Sequence, residues 1–167
     1  MDKTNAARLL EARGVAYRAT VYDATRAFHS AEEAAALLGA PHDAVYKTLV
    51  VLRDSARARP LLVLVPSDRQ VDLKLLARGL GEKKLRMATQ KEAEALTGLQ
   101  VGGISALAVR RGAFEVVLDA TAAARARLHV SAGVRGMDLE LAVADLVAVT
   151  DARLVPATGP ALPVERR

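Results

Sequence analysis

The pattern of apolar and polar positions divides the chain into short, well-punctuated elements. A helix is predicted over residues 5–13, with Thr4 as N-cap and Gly14 as its left-handed stop. Residues 15–22, VAYRATVY, alternate as a strand does. Ser30 and Glu33 have the spacing of a capping box and open a helix that ends at Gly39. Two apolar runs, 45–52 and 61–65, predict strands joined by the charged hairpin tip RDSARARP. A short helix is predicted over 72–78, stopped by Gly79, and Thr89 with Glu92 forms a second capping box opening a helix to Leu96. The loop VGGIS at 101–105 precedes a predicted strand pair, 107–110 and 114–119, and a helix near 122–127. Residues 129–141 place a glycine-containing loop between two short extended pieces, and 143–149 read as a last helix.

After Pro156 the turn formers of ATGPALPVERR show no periodicity, so 156–167 is expected to be a flexible tail behind a single domain over 1–155. Strands and helices mix without strict alternation. That predicts an α+β or irregular mixed α/β domain and argues against a doubly wound nucleotide-binding fold.

Composition narrows the chemistry. Of the 167 residues 51% are hydrophobic but only 3% aromatic, with no Trp, so Leu, Val and Ala must build the core. The same scarcity weakens any reading as an aromatic stacking surface for single-stranded RNA. No run approaches the roughly 18 apolar residues of a membrane span, and the N-terminus has an amphipathic helix pattern in place of a signal peptide, so a cytosolic chain without membrane contact is expected. Cysteine is absent, which removes disulfides, thiolate metal sites and a cysteine nucleophile. The net charge of +5 favours a polyanionic partner, although solubility alone also accounts for such an excess.

Few motifs carry chemistry by themselves. Gly103 and Ser105 start a G-x-S-x-G elbow, but Leu107 stands where its last glycine belongs, so Ser105 reads as a loop serine. His29, His42 and His129 are scattered singly, without metal-ligand spacing. Neither dinucleotide nor P-loop glycine motifs occur, so no cofactor is expected. Lys47 stands out within VYKTLVVL: on alternation it shares a face with Val45 and Leu49, so its ammonium either snorkels at a sheet edge or lines a pocket. Gly102 and Gly103 either make an ordinary turn or let backbone amides approach a ligand closely. The loop with Ser131, Gly133, Arg135 and Asp138 gathers a hydroxyl, a guanidinium and a carboxylate.

The segments VYKTLV (45–50), VGGIS (101–105) and VSAGVRGMDLEL (130–141), in this order and with this spacing, resemble the signature segments of the YbaK/EbsC-type aminoacyl-tRNA deacylases over about residues 5–155. The resemblance implies a largely antiparallel mixed sheet surrounded by helices, with a pocket for the aminoacylated 3′ end of tRNA. It implies an essential Lys47, with Thr48, Tyr22, Ser131 and Gly133 binding substrate, and Gly102, Gly103 and Asp138 in catalysis. Two departures are Ala106 where the family often has proline, and Ala132-Gly-Val-Arg-Gly136 where it often reads GGKRG. Residues 25–30, which shape the amino-acid pocket, also match the family poorly.

With no nucleophile of its own, an enzyme of this family is implied to let the thiol of a misattached cysteine attack its own ester carbonyl, releasing a cyclic thiolactone. Lys47 would orient the ester, the Gly102 and Gly103 amides would stabilise the oxyanion, and Asp138 would pair with Lys47 or hold the α-amino group. The implied substrate is Cys-tRNA(Pro), with Cys-tRNA(Cys) alongside it and prolyl-tRNA synthetase as a partner. Water-mediated hydrolysis of Ala- or Ser-tRNA, and a non-catalytic tRNA-binding module, stand as alternatives. Lys83, Lys84, Arg86, Arg110 and Arg111 are candidate phosphate contacts, against the alternative of a solvated charged surface.

Overall fold

The structure is a computed structural model that describes residues 3–23, 31–55 and 57–160. In chain order it contains α1 (Asn5–Ala12), β1 (Tyr17–Val21), α2 (Ala31–Leu38), β2 (Tyr46–Arg53), β3 (Leu61–Pro66), α3 (Leu73–Leu80), β4 (Leu85–Met87), α4 (Gln90–Thr97), β5 (Glu115–Asp119), β6 (Arg127–Ser131), β7 (Met137–Ala142), α5 (Val143–Thr150) and β8 (Arg153–Val155). Strands β1, β7 and β6 form a three-stranded antiparallel sheet; the other five form a second sheet in the order β4-β2-β3-β5-β8. In the second sheet β2 is antiparallel to β4 and β3, whereas β3, β5 and β8 run parallel. The α+β class expected from the pattern holds, with the strands divided between two sheets.

All six residues of β3 are buried, because this strand lies at the centre of its sheet with a hydrophobic layer on each face. Leu62 and Leu64 join a large cluster with Leu128, Val130, Leu139 and Leu141 from the inner face of the small sheet. Leu61, Val63 and Val65 pack on the other side with Leu76 and Ala77 of α3. A strand buried on both faces reads as a continuous apolar run, as LLVLV does.

Local signals set several boundaries as predicted. The Thr4 hydroxyl accepts from the Ala7 amide, and the Thr89–Glu92 capping box is complete in both directions. The capping box read at Ser30 lies outside the described residues. Other readings are corrected. Helix α3 continues past Gly79 to Gly81, because Gly79 faces Val155, where a Cβ would come within 2.5 Å of Cγ1. Residues 107–110 form no strand: the Leu107 amide donates to the Ser105 hydroxyl and the Ala108 amide to the Ser105 carbonyl, closing turns instead. The helix near 122–127 is a 3-10 turn, Ala120–Ala124, and the chain then enters β6.

The tail expectation also fails for its described part. Ala157 is fully buried and Thr158 bridges to Val71. The cause is Asp119, only 1% exposed. Its carboxylate accepts from the Ala157 amide at 2.8 Å, the Thr158 hydroxyl at 3.0 Å and the Thr121 hydroxyl at 2.6 Å. Since Thr121 gives its proton to Asp119, the Tyr46 hydroxyl donates to Thr121, 2.9 Å away. This buried chain ties the 156–160 segment to β5 and to the first residue of β2.

Replacing Asp119 with Ala leaves three donors, two of them buried, without acceptors and should destabilise the fold by about 3 kcal/mol. Urea unfolding checks this, as a lowered midpoint at unchanged slope. Ending the chain at residue 155 should lower the midpoint too, whereas a free tail would leave it in place.

Candidate functional site

The site is assembled by registration of the two sheets. Strands β6 and β7 pair so that Ser131 stands opposite Asp138 and His129 opposite Glu140, and β1 adds Thr20 opposite Asp138. Partners directly across a ladder point to the same face. Met137, Leu139 and Leu141 take the inner face, so Asp138 and Glu140 take the outer one with Thr20, Ser131 and His129. The larger sheet joins through a parallel bridge between Val45 and His129. By alternation Lys47 shares the face of Val45, and extending the parallel alignment by two residues carries it toward Ser131.

Lys47, Ser131, Asp138 and Thr20 are thus brought to one surface, and Tyr22 reaches it from the end of β1. The Tyr22 amide donates to the Gly136 carbonyl at 2.9 Å. Its phenol pKa is pushed up to about 12 by burial and by the nearby Asp138 carboxylate, so the hydroxyl keeps its proton throughout the physiological range. Asp138 is 5% exposed. Burial raises its pKa to about 6.

Thr48 does not share this surface. Its position on β2 alternates with Lys47 and matches Tyr46 and Val50, which face the large core, and its hydroxyl oxygen is buried without a hydrogen-bond partner. Gly103 also departs from its expected role as an oxyanion donor, because its amide already donates to the Gln100 carbonyl at 2.8 Å. What Gly103 provides is close approach: a Cβ there would lie 2.9 Å from the Arg135 nitrogen and the Val134 carbonyl carbon. The Arg135 guanidinium clamps the same contact by donating to the Val101 carbonyl at 2.7 Å. The Gly102 loop is thereby locked against the β6–β7 turn, and the Gly133 amide is tied back to the Ser131 hydroxyl at 3.2 Å.

The candidate phosphate contacts divide into two groups. Lys83, Lys84 and Arg86 surround β4, whose partners on β2 are residues 51–53. That places them roughly 16 Å along β2 from Lys47, at about 3.3 Å per residue. There Arg86 is held by both carboxylate oxygens of Glu92 at 2.8 Å, and Lys84 and Arg86 border a cavity of about 530 Å³ by the β2–β3 turn. Arg110 and Arg111 lie elsewhere, on the turn before β5, where Arg111 pairs with Asp151 at 3.0 Å.

His129 was read from sequence only as a scattered histidine. Its Nε2 lies 3.0 Å from a Glu140 oxygen, its Nδ1 is buried without a partner, and burial lowers its pKa, so it is neutral at neutral pH and donates to Glu140 through Nε2. The hairpin register is the signal that finds this pair, because placing Ser131 opposite Asp138 fixes His129 opposite Glu140.

Comparison with known proteins gives a consistent picture. The aminoacyl-tRNA editing domain family matches residues 25–149. The chain is 33% identical over 157 residues, 94% of each protein, to the "Putative Cys-tRNA(Pro)/Cys-tRNA(Cys) deacylase EbsC" of Enterococcus faecalis. Over 74 residues, 44% of this chain and 12% of the relative, it is 39% identical to a proline–tRNA ligase of Nitratidesulfovibrio vulgaris. The fold matches a crystal structure of "a putative trans-editing enzyme for prolyl tRNA synthetase" with TM-score 0.79 and 24% identity, covering 96% of this chain and all of that one.

The buried carboxyl yields a pH prediction. Its folded pKa of about 6 lies above the ordinary 3.8, so the folded state holds the proton more tightly. The stabilisation from protonation is complete below about pH 3.8 and disappears as pH rises through about 6. Asp138→Asn, which never ionises, should gain stability over the parent between pH 4 and 7, by about 2–3 kcal/mol at the top of the range. Denaturant midpoints across that range check it; parallel curves for the two proteins would show that Asp138 titrates normally.

Proposed function

The chain belongs to the aminoacyl-tRNA editing domain family, and from that premise we propose that it is a trans-acting deacylase clearing Cys-tRNA(Pro), and Cys-tRNA(Cys) with it, in the cytoplasm. The observation that carries this reading is the surface shared by Lys47, Ser131, Asp138 and Tyr22, which offers orienting groups in a chain without cysteine; among the described residues the Ser131 hydroxyl is bonded to the Gly133 amide, not to a histidine. The ester between amino acid and ribose then needs a nucleophile from elsewhere, and a cysteinyl substrate brings one. Its sulfur attacks its own carbonyl carbon, the bond to the ribose oxygen breaks, and that oxygen leaves with a proton. The products are a four-membered thiolactone and free tRNA, and no water is consumed.

In this scheme the Lys47 ammonium orients the ester and Tyr22, which keeps its proton, donates to the substrate. Gly102 is the loop amide proposed for the oxyanion, Gly103 serving to lock the loop. Asp138 holds the α-amino group, and Ser131 with the Gly133 turn positions the terminal adenosine. Thr48, turned toward the core, supports the strand that presents Lys47. The family acts on mischarged tRNA, and the partial match to a proline–tRNA ligase supports prolyl-tRNA synthetase as the enzyme whose errors are cleared. Hydrolysis of Ala- or Ser-tRNA is favoured by one observation, the neutral His129 beside the site, whose buried Nδ1 could serve as a base once uncovered.

Replacing Lys47 with Ala should abolish deacylation with the fold intact. Lys47→Arg should fail as well, since a planar fork does not replace a compact ammonium. Single-turnover cleavage of Cys-tRNA(Pro) is the measurement, and near-normal rates in the alanine variant would remove Lys47 from the mechanism.

The nucleophile itself is tested by comparing Cys-, Ser- and Ala-tRNA(Pro). A pocket separates near-isosteres by only ~10–200-fold, so a much larger preference for Cys over Ser points to chemistry. Mass spectrometry with a thiol trap should recover the cyclic thioester or its adduct. Solvent ¹⁸O entering cysteine in the cleavage step, with nothing trapped, would leave ordinary hydrolysis.

A further inference from the structure

Beside the β6–β7 turn, the groove that opens at Gly133 and Val134 does not end there. A hollow of about 380 Å³ lined by Asn5, Leu99, Ala108 and Gly133 continues into one of about 320 Å³ that shares Asn5 and Ala108. The second runs between α1 and the 106–112 segment, with Leu107, Phe114 and Val149 as its floor and Arg13, Arg110 and Arg111 along its walls. All three arginines are exposed. Arg13 and Arg110 have no carboxylate partner among the described residues, and the Arg111–Asp151 pair is open to solvent at both ends, 67% and 72% exposed. Such a pair contributes little and can exchange its carboxylate for a phosphate. Among the described residues the acidic side chain tied to the groove is Asp151, through Arg111.

We propose that this groove carries the phosphate backbone of the tRNA next to its aminoacylated end, with Arg13 and Arg110 as phosphate contacts and Arg111 joining them from Asp151. The proposal rests on the deacylase reading for the identity of the polyanion and adds the path it follows. From Asn5 to Arg13 the helix side of the groove extends about 12 Å at 1.5 Å per residue. That is room for a short run of backbone phosphates. The groove starts at the turn closing the Ser131–Asp138 rung, so a strand lying in it delivers its end to the site surface. Its floor is aliphatic apart from Phe114, and with so few aromatics in the chain the backbone charge must supply the affinity. The cations around β4 lack this continuity, and Arg86 is already held on both sides by Glu92.

The test compares the double variants Arg13→Ala/Arg110→Ala and Lys83→Ala/Lys84→Ala, both confirmed as folded by thermal melting. Binding of uncharged tRNA(Pro) transcript is followed against salt, and turnover is followed on 3′-O-cysteinyl-adenosine, an ester with no phosphate. The arginine variant should bind about tenfold more weakly at low salt, with the log–log salt slope reduced by about 1.4–1.8, the loss of two phosphate contacts. The lysine variant should stay within about twofold, and both should cleave the adenosine ester at the parent rate. An unchanged slope in the arginine variant, or a slope lost only in the lysine variant, overturns the groove. Failure of the parent protein on every charged tRNA would instead overturn the deacylase reading, because the binding slopes do not depend on turnover.

Discussion

The arrangement depends on how β2 is registered against β6. Among the described residues a parallel bridge, Val45 to His129, links the two sheets, and the alternation of side chains along β2 does the rest. Because the side-chain period is two, a slip of one residue would turn Lys47 into the large hydrophobic core and Thr48 out to the site. Register is held firmly here. Tyr46, Val50, Leu62 and Leu64 bury one face, and Val51, Val63 and Val65 bury the other. Lys47 lies opposite the buried Val65, on the α3-side face of β2, near the end of the strand that approaches β6.

This constraint also explains what could be read in advance. Caps at Thr4 and Thr89 are local, each satisfied within three residues, so the sequence exposes them directly. The long apolar runs of β2 and β3 are equally plain. Strands β4 and β8 are three residues each, too short for a pattern, and exist because β2 and β5 offer them edges. Residues 107–110 look strand-like by composition, yet Ser105 captures the Leu107 amide and bends the chain into turns. Asp119 hides its importance entirely, since nothing local shows that it gathers Thr121, Ala157 and Thr158.

The site was legible where one residue contradicts its surroundings and illegible where pairing decides. Lys47 is a charge inside an apolar strand, and that anomaly marks it without any structure. Thr48 was grouped with it by adjacency, although neighbours on a strand face opposite ways. Adjacent glycines at 102 and 103 suit either an ordinary turn or a close approach, and what approaches Gly103 is the backbone of Val134 and Arg135. His129 and Glu140 are eleven residues apart and become partners only through the hairpin register, which periodicity alone does not supply.

The groups gathered at the site are better suited to holding than to attacking. Tyr22 keeps its proton up to about pH 12, and Asp138 accepts one readily because burial penalises its charge. Keeping a carboxyl so buried lowers stability at neutral pH, and on the deacylase reading a substrate ammonium that pairs with it on binding offsets that cost. On the deacylase reading, selectivity then resides in what the substrate can do to itself once oriented, and affinity resides in the arginine groove beyond the β6–β7 turn. The two terms respond to different perturbations: salt weakens the groove, whereas attack within an oriented ester feels it little. A chain with a modest charge excess and no cysteine can still discriminate strongly under such a division. It has only to bind tRNA backbones without regard to the amino acid and to hold every ester in a geometry that one side chain, by its own chemistry, can exploit.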